Sequence, residues 1–140
     1  FSKIFGLAGL RIGYALAPEA LAATIRRHAM SQSNVAGLAA ALASYEDTPF
    51  LEFSKARVVE GRRMVMETFA EHEVPFLPSQ TNFVYADIGR DADAFQAAMR
   101  ARGILIRGVY GDFTTWSRVS MGRLEDLETF ARVFHELYAA

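Results

Sequence analysis

The sequence contains no cysteine, so disulfides and thiolate–metal sites are excluded. It also has no apolar run close to the ~20 residues that a membrane-spanning helix needs. Neither sign of charge dominates, because 15 Lys and Arg residues stand against 16 Asp and Glu residues and the formal net charge is −1. This balance provides no electrostatic basis for binding nucleic acid or an anionic membrane surface, and we expect neither partner.

Apolar residues, in contrast, are abundant: they make up 51% of the chain and include eleven Phe. A length of 140 residues leaves room for about one domain with a real core. Because the apolar share is at the upper edge of globular usage, we expect part of this surface to meet a partner or a further domain. The first residue is Phe and no signal peptide precedes it, so we expect the chain to be part of a longer protein.

Hydrophobic periodicity in the second half of the chain predicts a small α/β structure. The predicted elements are a strand at 82–88, a helix capped by Asp91 and stopped by Gly103, short strands at 104–107 and 117–121, and a last helix. That last helix carries an amphipathic stripe of Leu124, Leu127, Phe130, Ala131, Phe134 and Leu137. Strands and helices in this order are typical of a sheet covered by helices.

The first half predicts a short buried strand followed mainly by helices. The strand is expected at Tyr14–Ala17, and the helices at Glu19–Ala29, Ala36–Tyr45 and Phe50–Glu71. A buried opening strand without a parallel neighbour in view is typical of the end of a larger domain.

The residues with the clearest chemical meaning lie in the run from Ser2 to Tyr14, Ser-Lys-Ile-Phe-Gly-Leu-Ala-Gly-Leu-Arg-Ile-Gly-Tyr. A lysine amine can form a Schiff base with an aldehyde cofactor and can afterwards shuttle protons. If that cofactor carries a phosphate, Ser2 supplies a hydroxyl and Arg11 a planar cation that can hold two phosphate oxygens. The glycines between Lys3 and Arg11 allow the chain to loop back so that both reach one ligand. A P-loop is excluded, because its lysine follows the glycines.

The alternative interpretation is that Lys3 and Arg11 are surface cations beside a glycine-rich turn. That interpretation suits an isolated Ser-Lys dipeptide, whereas the whole thirteen-residue run favours a functional site. The histidines do not add a metal site, because His28, His72 and His135 share no ligand spacing.

The run from Ser2 to Tyr14 resembles the cofactor-lysine motif of fold-type I pyridoxal-phosphate-dependent aminotransferases, and among them the histidinol-phosphate aminotransferase group. The resemblance implies that Lys3 bonds covalently to pyridoxal 5'-phosphate and that Ser2 and Arg11 bind the cofactor phosphate. Three later segments are also similar to family motifs, in the family's order: Pro78–Phe83, Gly103–Arg107 and Arg118–Gly122.

Three residues of these later segments are candidates for substrate binding. Arg118 alternates with Val119 and Met121, so it faces a cleft or solvent if those two face the core. A planar guanidinium suits a substrate carboxylate, and the resemblance implies that role for Arg118. Arg107 is either a second arginine for the substrate's anionic end or an ordinary cation at a strand end. Asn82 either lines the site or satisfies the start of a strand.

The resemblance implies an α/β fold in which 1–48 end the large cofactor-binding domain and 49–140 form the small C-terminal domain with the long interdomain helix. It implies a cytoplasmic homodimer that moves an amino group between an amino acid, or an amino-alcohol phosphate, and a 2-oxo acid in amino acid biosynthesis. By itself this chain is expected to be inactive, because the residues that stack on and pair with the cofactor ring would lie upstream.

Two alternatives stay open, a decarboxylase or lyase of the same fold and a non-catalytic interaction domain on a degenerate aminotransferase scaffold. The sequence also departs from the family pattern after Gly122, where Arg123 stands in place of a threonine. The segment 108–117 cannot be aligned with the family pattern. These departures leave the identity of the substrate open.

Overall fold

The computed structural model describes residues 1–29 and 33–138. The chain divides into two compact units, Phe1–Lys55 and Ala56–Ala140, and the boundary lies within a long helix. The domain boundary predicted from the sequence, after residue 48, stays a prediction.

The first unit is helical. A 3₁₀ turn at Ala8–Leu10 is followed by α1 (Glu19–Arg27), α2 (Val35–Glu46) and the start of α3 (Thr48–Glu71). The side chain of Asn34 begins α2, since its Oδ1 accepts hydrogen bonds from the amides of Ala36 and Gly37. The three helices predicted for this half are confirmed, with ends that differ by one or two residues.

The strand predicted at Tyr14–Ala17 is wrong. These residues have no regular secondary structure, and Leu16 is 90% exposed. A strand exists only where a neighbouring strand accepts and donates its backbone hydrogen bonds. No described residue pairs with this segment, so its apolar composition does not produce a strand here.

The second unit is an α/β structure built on two strands, and the predicted fold class is confirmed. It comprises the rest of α3, then β1 (Phe83–Asp87), α4 (Ala92–Arg100), β2 (Trp116–Ser120) and α5 (Leu124–Tyr138). β1 and β2 pair antiparallel, with Val84 opposite Val119 and Tyr85 opposite Arg118. Asp91 caps α4 as predicted, since its carboxylate accepts the amide of Ala94 at 2.8 Å.

The strand predicted at 104–107 is also not formed. Only Arg107 pairs with β2, through an isolated bridge to Arg118. Ile104 is held by the turn that closes α4, because its amide donates to the carbonyl of Met99 at 3.0 Å. Gly103 ends that helix with φ of +81°, a conformation that glycine adopts without steric cost.

One face of the sheet packs against helices and the other is open. Val84, Ala86, Ser117 and Val119 form the buried face. Core side chains from the helices of the second unit complete this cluster: Val65, Phe69, Phe95, Met99, Leu127, Phe130, Val133 and Phe134. Because side chains alternate along a strand, Tyr85 and Arg118 project from the opposite, open face.

The aromatic centre of this core gives a stability prediction. Phe134 is fully buried, and its ring lies 5.3 Å from that of Phe69 and 5.6 Å from that of Phe95. Phe134→Ala should lower the free energy of unfolding by about 3–5 kcal/mol, because it removes buried apolar area and leaves a cavity. Urea unfolding would measure the change. Phe113→Ala, at a ring that is 56% exposed, is the matched control and should cost far less.

Among the described residues, no helix combines the length and the apolar character required to cross a bilayer.

Candidate functional site

Lys3 lies on a tight loop at the start of the first unit. The amide of Gly6 donates to the carbonyl of Lys3 at 2.9 Å, and the amide of Leu7 donates to that of Phe1 at 3.1 Å. Gly6 has φ of +68°, which lets the chain turn at this point. The side chain of Lys3 is exposed and that of Ser2 is half-buried, and neither makes a hydrogen bond or ion pair within the described chain. The amine and the hydroxyl are therefore available to a ligand.

Arg11 follows on the same loop, after the 3₁₀ turn. Its backbone is left-handed, with φ of 52°, and its guanidinium donates to the carbonyl of Ala8 at 2.8 Å. A non-glycine residue in this region is uncommon, so the surrounding structure must hold it there. The side chain is exposed and has no carboxylate partner in the part of the chain that the structure describes. Its remaining N–H groups can donate hydrogen bonds to an anion.

Aromatic contacts support this loop from α2. The ring of Tyr45 lies 5.1 Å from that of Phe1 and 6.2 Å from that of Phe5, the residues on either side of Lys3. Tyr14 extends the cluster, with its ring 5.7 Å from that of Phe1. Tilted and edge-on ring pairs at these distances are attractive. The cluster therefore fixes the backbone that carries Lys3.

A separate pocket of about 270 Å³ lies on the open side of the sheet in the second unit. It is lined by Phe83, Tyr85, Arg107, Tyr110 and Arg118. The structure thus brings together Arg107 and Arg118, which the sequence named as candidates for binding an anion. Their backbones are joined directly, since the amide of Arg107 donates to the carbonyl of Arg118 at 3.1 Å and the reverse bond is 3.4 Å.

Each arginine of this pocket is placed against an aromatic ring. The guanidinium carbon of Arg118 lies 5.2 Å from the ring centre of Phe83, and that of Arg107 lies 5.5 Å from the ring centre of Tyr110. Stacking of this kind orients the planar cation and leaves its N–H edges for other partners. Neither guanidinium contacts a carboxylate among the described residues. Two unneutralised cations in one small pocket favour binding of an anion.

Tyr85 adds a polar group beside the arginines. Its hydroxyl is buried and has no hydrogen-bond partner within the described structure. Burial raises the pKa of Tyr85 above its ordinary value, and the phenol of Tyr110 acts in the same direction. The group is therefore a neutral donor at neutral pH. An unpartnered buried hydroxyl costs free energy, so a partner brought by a ligand would stabilise it.

Asn82 is not among the residues that line this pocket. It lies just before β1, where its carbonyl accepts the amide of Met121 at 2.9 Å. This contact suits the structural interpretation of Asn82, and its role in substrate binding stays a prediction. No group of three or more His, Asp or Glu side chains that could hold a metal ion occurs in the described ranges.

Comparison with known proteins identifies the family. A profile described as "Aminotransferase class I and II" matches residues 1–134. This chain belongs to that family. The family membership that the Ser2–Tyr14 motif indicates is therefore confirmed, and so is the fold-type I assignment.

Individual relatives agree with the family match. Histidinol-phosphate aminotransferase 2 of Methylococcus capsulatus is 40% identical over 133 residues, which cover 93% of this chain and 36% of that relative. The histidinol-phosphate aminotransferase of Bacillus licheniformis is 37% identical over 134 residues, covering 94% of this chain and 37% of that relative. The crystal structure of histidinol-phosphate aminotransferase from Sinorhizobium meliloti in complex with pyridoxal-5'-phosphate matches with a TM-score of 0.85 at 29% identity. That match covers 99% of this chain and 39% of the other.

This aminotransferase-family chain therefore spans a little over a third of the length of the relatives it matches. The sequence named the lysine loop and both arginines of the pocket as candidates, but it did not name the aromatic residues that line the pocket with them. The alternation of side chains along β1 could have indicated Tyr85, since Tyr85 and Arg118 both lie on the face of the sheet that points away from the core. Tyr110 gave no such signal, because it lies in a turn without periodicity.

Arg123, where the sequence departs from the family pattern, has a structural partner. Its Nε donates to one carboxylate oxygen of Asp126 at 3.0 Å and its Nη2 donates to the other at 2.9 Å. The hydrogen bond from Arg123 lowers the pKa of Asp126 below its ordinary value. Both residues lie at the start of α5 and neither lines the arginine pocket. The departure from the family pattern at Arg123 therefore affects the start of α5 and not the lining of the arginine pocket.

Proposed function

We propose that this chain supplies the cofactor lysine and the substrate-anion pocket of a pyridoxal-phosphate-dependent aminotransferase. The loop that carries Ser2, Lys3 and Arg11 is the observation on which the proposal depends. It presents a hydroxyl, an amine and a guanidinium, all without a carboxylate partner, within ten residues of one another. This donor set matches a ligand that has both an aldehyde and a phosphate.

Each residue of the loop then has a distinct role. Lys3 Nζ would hold the cofactor through its aldehyde, and the free amine would move the proton that amino transfer requires. Ser2 would donate a hydrogen bond to the cofactor phosphate, and Arg11 would balance its charge. When bound, the cofactor supplies an electron sink that makes the substrate's carbon-bound proton acidic.

Arg118 and Arg107 would hold the anionic group of the substrate. Two guanidiniums in one pocket can share the oxygens of a carboxylate or a phosphate. Because an anion bound by both cannot rotate freely, the pocket would also orient the reacting carbon. Asn82 would be a third substrate contact, directly before the strand that carries Phe83 and Tyr85.

The relatives named histidinol-phosphate aminotransferases indicate histidinol phosphate as the first amino donor to test, with a 2-oxo acid as acceptor. Histidinol phosphate has a phosphate at one end, which suits a pocket that holds two arginines. We also propose that the full-length protein is a cytoplasmic homodimer, as the resemblance implies.

Borohydride reduction of the full-length protein with bound pyridoxal phosphate tests the proposal. Reduction fixes the cofactor to the amine that it occupies, and peptide mass spectrometry then locates it. The sequence has two lysines, Lys3 and Lys55, so Lys55 is an internal control. We expect the added mass on the Lys3 peptide alone. An unlabelled Lys3 would contradict the proposal and favour a non-catalytic domain on an aminotransferase scaffold.

The decarboxylase or lyase alternative uses the same lysine, so labelling does not separate it from amino transfer. Incubation of the full-length protein with candidate amino donors, with and without 2-oxoglutarate, would separate them. Amino transfer forms glutamate only when the acceptor is present. Release of carbon dioxide without glutamate would show the alternative.

A further inference from the structure

We propose that Asp93 and Gln96 of α4 are positioning residues for Arg107. They hold the backbone on both sides of this arginine, and so set its place in the pocket beside Arg118. The inference rests on the proposed function, because it concerns the residue that would bind the substrate's anionic group.

Two hydrogen bonds from α4 flank Arg107. The side-chain amide of Gln96 donates to the carbonyl of Ile106 at 2.7 Å. On the other side, the amide of Val109 donates to a carboxylate oxygen of Asp93 at 2.9 Å. Gln96 and Asp93 are three residues apart, so they lie on the same face of α4. One helix face therefore holds the chain immediately before and shortly after Arg107.

The backbone of Arg107 itself is held from β2. The buried hydroxyl of Ser117 donates to the carbonyl of Arg107 at 2.6 Å, and Arg118 exchanges backbone hydrogen bonds with the same residue. These contacts matter because 104–107 do not form a strand, and a single bridge gives little resistance to movement. The contacts from α4 supply the support that a longer strand would otherwise give.

Gly108 shows that this arrangement leaves no spare room. A Cβ atom on Gly108 would lie 2.2 Å from a carboxylate oxygen of Asp93 and 3.1 Å from the amide oxygen of Gln96. Gly108 is buried, and its backbone is not among the positive-φ glycines, so the close approach to α4 is the reason for glycine here. The side chains of Asp93 and Gln96 thus occupy the space that any side chain at position 108 would need.

Position is important for Arg107 because its side chain is exposed and stacks on the exposed ring of Tyr110. An anion gripped by two guanidiniums requires a fixed separation between them. If the 106–109 segment moved, Arg107 would remain charged but would no longer share its anion with Arg118. The expected consequence is weaker substrate binding with little change in the chemical step.

The test compares two carboxylates at the start of the same helix in the full-length enzyme. Asp93→Ala removes the acceptor for Val109, whereas Asp91→Ala removes the cap of α4 and leaves the 106–109 segment untouched. For D93A we expect the KM for histidinol phosphate to rise about three- to tenfold, with kcat unchanged within about twofold. D91A should leave KM unchanged although it lowers stability. Asp93→Asn keeps an acceptor oxygen and should restore most of the wild-type KM.

Gly108→Ala provides a second variant with the same predicted effect. The new methyl group must displace Asp93, so G108A should also raise KM. In a D93A background the same change should have a smaller effect, because the nearest clashing atom has been removed. Additive effects of the two changes would contradict coupling through Asp93. Equal KM values for D93A and D91A would overturn the proposal while leaving the proposed function intact.

Hydrogen exchange gives a result that does not depend on turnover. The Val109 amide should be protected in the wild-type protein and in D91A, but not in D93A. Equal protection in all three proteins would show that Asp93 does not hold this segment. If instead the wild-type enzyme fails to transfer an amino group and Lys3 is unlabelled, the proposed function fails, and exchange at Val109 still decides the contact.

Discussion

Lys3→Ala in the full-length protein is expected to lower kcat/KM for amino transfer by at least about 10³-fold. The change removes both the amine that bonds to the cofactor and the base that moves the proton. No other described amine on the loop can replace it, because Ser2 and Arg11 cannot act as nucleophilic amines at neutral pH. Steady-state kinetics with histidinol phosphate and 2-oxoglutarate would measure the loss.

Lys55 provides an unusually close control for this substitution. Phe53, Ser54 and Lys55 repeat the first three residues of the chain, Phe-Ser-Lys, but they lie within α3 and no glycine-rich run follows them. Lys55→Ala should leave kcat/KM within about twofold of the wild-type value. A large loss for K55A, or activity retained by K3A, would show that the lysine has been assigned wrongly.

Arg118→Ala is expected to raise the KM for histidinol phosphate by about 10- to 150-fold, because a hydrogen bond to a charged group contributes about 1.5–3 kcal/mol. Arg118 lies in the centre of β2, and both its backbone and its guanidinium have defined neighbours, Tyr85 across the sheet and the ring of Phe83. Arg118→Lys keeps the charge but loses the planar fork, so it should recover only part of the affinity. Kinetics of the full-length protein would measure both variants.

Arg123 is the matched control for Arg118. It follows β2, carries the same charge, and is paired with Asp126 outside the pocket. Arg123→Ala should leave KM close to the wild-type value, and any loss of stability should be small because both partners are exposed. A similar rise in KM for R118A and R123A would show that the pocket responds to net charge and not to a specific arginine.

The helices and the lysine loop were predictable because their determinants are local. A helix needs hydrogen bonds four residues apart and an apolar stripe, both of which are readable in α5. The helix cap at Asp91 and the stop at Gly103 were found for the same reason. The chemistry of Ser2, Lys3 and Arg11 could also be named, since it depends on residue types and close spacing.

The two wrong strands show where local information ends. The segments 14–17 and 104–107 have the composition of strands, but a strand also requires a partner at the correct distance and register. Composition does not contain that information. The contacts of Asp93 and Gln96 with the Arg107 segment were unpredictable for the same reason, because they join side chains of a helix to a loop ten to sixteen residues away.

The histidines illustrate the same limit over a longer separation. His72 and His135 share no ligand spacing, yet their ring nitrogens lie 2.6 Å apart, and Glu71 lies 3.4 Å from the second ring. They meet because the end of α3 and the end of α5 pack on the same core through Phe69 and Phe134. Only the packing of the two helices could place them together.

The sequence by itself determined the family, the helices and the kinds of chemical group that this chain offers, because residue type and short-range periodicity carry that information. Only the tertiary structure decided which groups share a pocket. Arg107 and Arg118 meet there with Tyr85 and Tyr110 because β2 pairs in one register and α4 supports one loop. Register and helix packing are fixed by burial of the whole core, and no single segment of sequence specifies them.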